Sequence, residues 1–389
     1  MKGLFSRLAF MGFGPHGLSP QAPAPPLFAV QGRRPGRLRA LVRREAPRLP
    51  GVYGMVDGGG ELIYVGKAKC LRARLLSYFR PRSRDPKAGQ IVKDARTVVW
   101  EPGPSEFAAL LRELELIRRW QPRRNVQGQP NRRRRGYVCV GRRPAPYVFL
   151  AGKPPATAFA RFGPVPAGLK AREAVRRVND WFRLRDCPQA VEMVFADEQE
   201  LFPLARAPGC LRHGIGNCLG PCAAACTRAD YAGYFRAAVA FLEGKDDSPL
   251  GMLEREMLAA SAATQFERAA ALRDRLDSLR WLSEHLDRLR QAARHSFVYP
   301  VSAEGGAETW YLIHRGHVRG AVPAPQDRAG RKLAGAALRA VYNKPGDGPG
   351  PPGLDEIDGV LLVAGWFRRH PEERQRTLAP EEALAACGG

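Results

Sequence analysis

The chain has 389 residues, 44% of them hydrophobic, and a formal net charge of +24. That length allows two or three modest domains, and no apolar run approaches the roughly 18–20 residues that cross a membrane. Charge of this size argues against a cationic partner, and the clustering of Arg118, Arg119, Arg123, Arg124 and Arg132 to Arg135 points to nucleic acid rather than to a merely solvated surface. At the N-terminus, Arg7 and early Gly and Pro break the apolar run begun at Leu4-Phe5, so no secretory leader is expected. A cytoplasmic location follows. Eight cysteines there should be reduced thiols or metal ligands, not disulfides.

In chain order, residues 1–35, with the Pro20 to Pro26 stretch, are expected to form a disordered extension. A short basic helix is expected over 36–48. Two strand-like runs follow, Val52 to Val56 and Leu62 to Val65, joined by Asp57-Gly58-Gly59-Gly60-Glu61, which has hairpin-turn composition. Each run carries a tyrosine, Tyr53 or Tyr64, so pairing the runs brings two phenols together. Behind them, Leu71, Leu75 and Phe79 mark one stripe of a helix, which leaves Lys67, Arg74 and Tyr78 to line the mouth of the small sheet. A second helix starts at the N-cap Ser105 and buries Leu110, Leu114 and Ile117. Glu106 and Glu113 share another of its faces, and Glu115 points elsewhere.

Gly51-Val52-Tyr53, then Tyr64-Val65-Gly66-Lys67-Ala68-Lys69, with Leu71, Arg74 and Tyr78 in register, resembles the GIY-YIG nuclease module. The Gly-Lys-Ala-Lys variant is the form found in the UvrC excinuclease family. Phosphodiester hydrolysis needs a proton acceptor for the attacking water and positive charge for the developing oxyanion. Glu113 suits one Mg²⁺ or Mn²⁺, since hard cations choose carboxylate oxygen and otherwise keep their waters. Arg74 can grip the phosphate in bidentate fashion, and either Tyr53 or Tyr64 could be the base, with Lys67 close by. The resemblance implies that Tyr78 positions water or phosphate and that Asn125 braces the site.

After Val126 the chain departs from the family, with Gln127-Gly128-Gln129-Pro130-Asn131 and four arginines where an acidic segment is usual. Strands are expected at Tyr137 to Val140 and Tyr147 to Leu150, and a helix from Lys170 to Phe182. Cys187, Cys210, Cys218 and Cys222 come next, separated by 22, 7 and 3 residues. Four soft thiolates on a loop-rich segment suit an iron–sulfur cluster or zinc; resemblance to the UvrC pattern favours a 4Fe–4S cluster. Gly209 replaces the family's proline, and the long first gap implies an insertion around 190–205, which makes Cys187 the least typical of the four. Cys226 is a spare or substitute ligand.

Tyr231 to Glu243 reads as a helix leading to a helical pair. In the second helix of the pair, Phe266, Ala269, Leu272, Leu276, Leu279, Leu282, Leu286 and Leu289 form a heptad-like seam that wants a partner. Phe266-Glu267-Arg268-Ala269-Ala270-Ala271-Leu272-Arg273-Asp274 resembles the UVR motif, which implies docking on a matching hairpin of UvrB. Packing of the seam within the chain is the competing arrangement. From residue 296 the signals thin to a hairpin at Trp310 to His314 and Val318 to Val322, helices over 330–342 and 380–386, and a Gly- and Pro-rich linker over 345–353. His314 and His317 read as surface residues. No RNase H-type acidic set and no helix-hairpin-helix repeat is found, so the resemblance covers residues about 50–290 and matches the shortened, Cho-like form in extent.

The expected class is α+β. Its parts are a small GIY-YIG mixed sheet with flanking helices (48–126), a linker and cysteine-cluster domain (127–245), a UVR helical hairpin (246–292) and a small C-terminal α+β region (293–389). The resemblance implies a UvrC-like endonuclease of nucleotide excision repair that makes one metal-dependent nick, 3′ to a lesion, in damaged double-stranded DNA together with UvrB. The alternatives are a GIY-YIG nuclease acting on recombination or foreign DNA without UvrB, and a non-catalytic DNA-binding adaptor.

Overall fold

The structure, a computed structural model, describes residues 9–19, 25–80, 88–125, 135–141, 143–188, 190–198, 210–303, 305–343 and 352–388. The arginines at 132–134, Gly209, part of the insertion expected over 190–205 and most of the 345–353 linker lie outside the described residues. The chain divides into two units. One holds residues 1–132, 292–348 and 355–389, and the other 133–291 and 349–354. The expected separate UVR hairpin and separate C-terminal region are therefore each gathered into a larger unit.

The first part of the chain runs β1 (Phe28–Gln31), α1 (Pro35–Glu45), β2 (Gly51–Asp57), β3 (Leu62–Ala68), α2 (Leu71–Ser77), α3 (Ala88–Asp94), β4 (Ala95–Pro102) and α4 (Glu106–Trp120). The strand order is β1-β4-β2-β3. The α+β class holds, but the sheet is antiparallel throughout rather than mixed. β3 and β4 run the same way on opposite sides of β2, so no parallel pair arises. The hairpin turn is built by Asp57, whose Oδ1 accepts the N–H of Gly59 and of Glu61, each at 3.0 Å. One face of the sheet carries Tyr53, Met55 and Ile63 against Leu38, Leu71 and Leu75. The other carries Val52, Val65 and Val99 against Ala109, Leu116 and Ile117 of α4.

The disordered extension expected over residues 1–35 is not what the described part of that segment forms. Phe13 is buried in the α4 face of the sheet, and β1 pairs with β4 from Phe28↔Trp100 to Gln31↔Thr97. Arg112, itself buried, donates to the carbonyls of Gly14 (2.5 Å) and Pro15 (3.0 Å), so the segment supplies acceptors to an interior cation.

The middle of the chain forms β5 (Arg135–Gly141), β6 (Tyr147–Ala151), β7 (Ala158–Pro166), α5 (Leu169–Trp181), the short α6 (Leu211–Gly214), α7 (Arg228–Leu242), α8 (Ser248–Ala262) and α9 (Phe266–Ala293). Its antiparallel sheet has the order β6-β5-β7. Leu272, Leu276, Leu279, Leu282 and Leu286 share one buried core with Phe241, Leu253 and Ala260. The heptad-like seam is thus covered from within the chain over this length, and the expectation of an open seam is corrected. The apolar side chains the helical pair leaves exposed are Met252, Leu258 and Phe266.

The chain ends in β8 (Phe297–Ser302), β9 (Glu308–His314), β10 (His317–Pro323), α10 (Arg328–Tyr342), α11 (Ile357–Arg369) and α12 (Pro380–Ala386), with the sheet order β10-β9-β8. Side chains alternate across this sheet. Tyr299, Val301, Tyr311 and Ile313 meet Val363 and Trp366 of α11, and Val298, Trp310 and Leu312 meet Leu338 and Ala383. The first of these cores also holds Phe107 of α4, whose ring centroid lies 5.0 Å from Tyr299, 5.2 Å from Tyr311 and 5.4 Å from Trp366. His314 and His317 are only partly exposed, and burial holds the His317 imidazole below its usual range.

Because Phe107 is fully buried where two sheets meet one helix, Phe107→Ala should cost about 3–5 kcal/mol. Guanidinium unfolding of the full chain would report this as a lowered midpoint. A midpoint equal to the parent's would mean that α4 and the C-terminal sheet do not share a core.

Candidate active site

The site forms where β3 is the edge strand, so side chains from both faces of the sheet can reach around it. Two glycines make the close packing possible. A Cβ on Gly51 would collide with the Glu101 carbonyl of β4, and one on Gly66 would collide with the Tyr53 phenol. Register explains the second case, because Tyr53 and Gly66 are directly paired and the Tyr53 ring lies over the glycine.

On the α2 side, the Tyr53 and Tyr78 hydroxyls are 2.9 Å apart. Arg74 donates from Nε to the Tyr53 oxygen at 3.2 Å and from Nη2 to the Tyr78 oxygen at 3.3 Å. Tyr64 completes the cluster, with its ring 6.2 Å from Tyr53 and 5.9 Å from Tyr78. Burial, reinforced by neighbouring phenols, pushes the Tyr53 and Tyr78 hydroxyls well above the usual range for tyrosine. Tyr53 is fully enclosed, whereas Tyr64 is partly open to solvent.

On the α4 side, Glu113 Oε1 accepts the backbone N–H of Lys67 at 3.1 Å. Burial raises its carboxyl to about 7, against the pull of Lys67 and of Arg74. Lys67 Nζ donates to Glu106 Oε1 at 2.9 Å, and Lys69 Nζ lies 3.3 Å from Glu106 Oε2. Burial works to raise the Glu106 carboxyl, but the two ammonium groups outweigh it and hold it below the usual range. The clamp by Glu106 was not assigned from sequence; the available signal was its seven-residue spacing from Glu113, with two lysines on the facing strand.

Asn125 is buried, its Oδ1 accepting the Val65 N–H at 2.9 Å and its Nδ2 donating to the Val65 carbonyl at 2.8 Å. It fastens the outer edge of β3. Asn179 repeats the arrangement at Val148 of β6, at 3.0 and 2.7 Å. The arginine cluster next to the site is not a free electrostatic surface in its described part. Arg118 pairs with Asp358, Arg119 with Glu115, Arg123 with Asp57 and Arg124 with Asp94. That corrects the sequence-based reading of these four as open cations.

The model that matches residues 49–126 is the UvrC-like GIY-YIG domain. Residues 137–241 match the UvrC/Cho excinuclease middle domain, and 250–280 match the UvrB/uvrC motif. The chain is UvrC-like. It is 34% identical over 248 residues to the UvrABC system protein C of Saccharophagus degradans, covering 61% of this chain and 37% of that one. It is 35% identical over 246 residues to that of Escherichia fergusonii, covering 60% and 37%. The UvrC-like chain thus spans a little over a third of the length of these curated relatives. Among solved structures, the GIY-YIG N-terminal endonuclease domain of UvrC from Thermotoga maritima, bound to magnesium, is 34% identical; the match covers 23% of this chain and 97% of that one, with a TM-score of 0.21.

The four cysteines of the UvrC-like middle region sit on loops around the short α6. Burial pushes the Cys218 and Cys222 thiols up, and Cys187 adds to both shifts; Cys210 adds to that of Cys222. The Gly220 N–H points at Cys218 Sγ, 3.5 Å away. Cys226, pushed up to about 11 by burial and then by Cys218, borders the set. Among the described residues, however, no three His, Cys, Asp or Glu side chains are gathered closely enough to enclose a metal ion.

Replacing Asn125 by Ala strands the Val65 N–H and carbonyl in a buried place, at a cost of about 2 kcal/mol. The Val65 amide should then exchange faster with solvent deuterium. Unchanged protection at Val65 would show that the clip does not hold β3.

Proposed function

We propose that this chain is a metal-dependent DNA endonuclease that makes one incision, 3′ to a lesion, in a UvrB–DNA complex of nucleotide excision repair. The observation that carries the reading is that the one edge strand β3 places Tyr64 against the Tyr53–Arg74–Tyr78 hydrogen-bonded cluster and holds Glu113 through the Lys67 N–H. The family matches support the same activity, and damaged duplex DNA is the substrate they suggest. No helix among the described residues is long and apolar enough to cross a membrane, which agrees with a cytoplasmic place for the reaction.

Glu113 fits a hard cation. It is a half-buried carboxylate whose Oε1 accepts the Lys67 N–H, and Mg²⁺ or Mn²⁺ needs only one or two carboxylates because it keeps its waters. Such an ion would supply Lewis-acid stabilisation of the phosphate oxygens. Arg74, held by two phenols, binds the non-bridging phosphate oxygens. Of the two phenols left open as general base, Tyr64 suits the role better. Tyr53 is enclosed and its oxygen is already engaged by Arg74 and Tyr78. As its phenolate, Tyr64 would take the proton of the attacking water as the new P–O bond forms and the P–O bond to the leaving deoxyribose oxygen breaks, that oxygen being protonated by solvent. Tyr78 orients the phosphate through Arg74, and Asn125 keeps β3 in place. Lys67 serves twice, fixing Glu113 through its backbone and Glu106 through its ammonium.

Cys187, Cys210, Cys218 and Cys222 are read as ligands of a 4Fe–4S cluster, with zinc as the alternative. Four cysteines on a loop-rich segment around the short α6 are the soft donor set that an iron–sulfur or zinc centre uses. UvrB would dock on the helical pair through Met252, Leu258 and Phe266, since the rest of the seam is packed. That packing is also the observation favouring the second reading, a nuclease that acts without UvrB.

Glu113→Ala and Arg74→Ala should each reduce Mg²⁺-dependent nicking of lesion-bearing duplex by about a hundredfold or more. Parent-like cleavage by either variant would end the assignment. Nicking unaffected by UvrB would select the second reading. For the thiol site, anaerobically purified chain should contain iron and sulfide or, failing that, zinc; a preparation with none of these rules the metal centre out.

A further inference from the structure

One stretch of the nuclease unit, away from the catalytic cluster, concentrates arginines without acidic partners. Residues 33–48 carry arginine at 33, 34, 37, 39, 43, 44 and 48 against a single acid, Glu45. All seven are exposed. Arg44 is engaged by Glu45; the other six side chains make no ion pair or hydrogen bond among the described residues. Packing does not require them, because α1 is held by Leu38 and Val42, both fully buried.

We propose that this arginine row is a binding track for the sugar-phosphate backbone of duplex DNA, separate from the pocket that performs hydrolysis. Three observations support a polyanionic backbone as the ligand. First, Arg33, Arg34 and Arg37, with Arg96, line an open groove of about 1420 Å³ beside β1. Second, the apolar face of α1 is already spent on the core, so the helix has nothing to insert into a lipid surface. Third, the row leads toward the site. Past the C-terminal end of α1, the carbonyls of Pro47 and Leu49 accept the N–H groups of Arg72 and Leu71 at 3.0 and 2.9 Å, and the Ala46 carbonyl accepts Arg72 Nε at 2.5 Å. Those contacts fix the start of α2, the helix that carries Arg74. An 11-residue helix is about 16 Å long, which matches about five phosphates of one strand.

This inference rests on the reading of the chain as a DNA enzyme, and it is tested without cleavage. Binding of the full chain to undamaged duplex is measured with chelator present over a range of salt concentrations. Each phosphate contact adds about 0.9 to the slope of log K against log salt. Replacing Arg33, Arg34 and Arg37 together by Gln should lower that slope by about two to three and weaken binding to all sequences alike. The control removes the same charge from α10, as Arg328→Gln, Arg331→Gln and Arg339→Gln, and should leave the slope unchanged. A slope unaffected by the first triple, or lowered equally by both, overturns the proposal. An unaltered thermal unfolding midpoint shows that each triple is folded. Because nicking is not the readout, failure of the catalytic reading leaves this result interpretable.

Discussion

The buried pair between Arg112 and Glu101 sets the geometry of the unit that holds β1 to β4. Arg112 Nε and Nη2 each lie 3.1 Å from an oxygen of Glu101, in the bidentate arrangement that suits guanidinium and carboxylate. Neither group reaches bulk water to any extent. Rotating α4 away from β4 would leave two uncompensated charges in the interior, a cost of about 3–5 kcal/mol for each broken partner. Such a pair need not add to stability over an apolar replacement, but it permits only one rotation of the helix. With Arg112 fixed on β4, the next residue, Glu113, is turned toward β3 and the Lys67 N–H. The same rotation aims Phe107 at the C-terminal sheet and Glu106 at the two lysines.

The second constraint is that β3 is an edge strand. A central strand would keep the tyrosines on one face of the sheet and the carboxylates on the other, with backbone between them. At an edge, the outer side of the strand is open, and β3 carries Tyr64 toward the Tyr53–Tyr78 cluster and Lys67 toward Glu113 and Glu106. Edge strands are also the least restrained members of a sheet. Asn125 counters this by occupying the outward N–H and carbonyl of Val65 with one side-chain amide, so the strand carrying Tyr64 and Lys67 is held on its outer side.

What sequence could reveal follows the range of the interactions involved. The hairpin, α2 and the N-cap of α4 depend on residues a few positions apart, and their patterns are readable directly. The role of the two motif glycines is readable only once the register is known, because what fills the space above Gly66 is a tyrosine thirteen positions away. β1 and the 9–19 segment carry weak local signals among prolines; they are ordered by a strand and an arginine roughly seventy to one hundred residues distant. β8 and α11 were missed for the same reason, since their order comes from each other and from Phe107. The heptad pattern of α9 announced an apolar seam correctly but could not say which partner covers it. The cysteine spacing names a candidate donor set but does not fix the separations of its thiols, which depend on how the loops around α6 fold.

Charge is where residue counting misleads most. The arginines crowded at and after the end of α4 look like an open cationic surface in one dimension, yet Arg118, Arg123 and Arg124 each meet an acid brought from elsewhere in the unit, and Arg119 meets Glu115 one turn back on α4. Lys67 and Lys69 are engaged by Glu106 in the same way. These pairs hold side chains in place, and their fields largely cancel at a distance. The arginines of α1 have only Glu45 to answer them, so their field extends into solvent to about the Debye length, roughly 8 Å at physiological salt. The unit therefore separates two uses of positive charge. Paired cations fix the geometry around β3 and α4, while those of α1, on a helix fastened to α2 through Ala46, Pro47 and Leu49, keep their field in solvent.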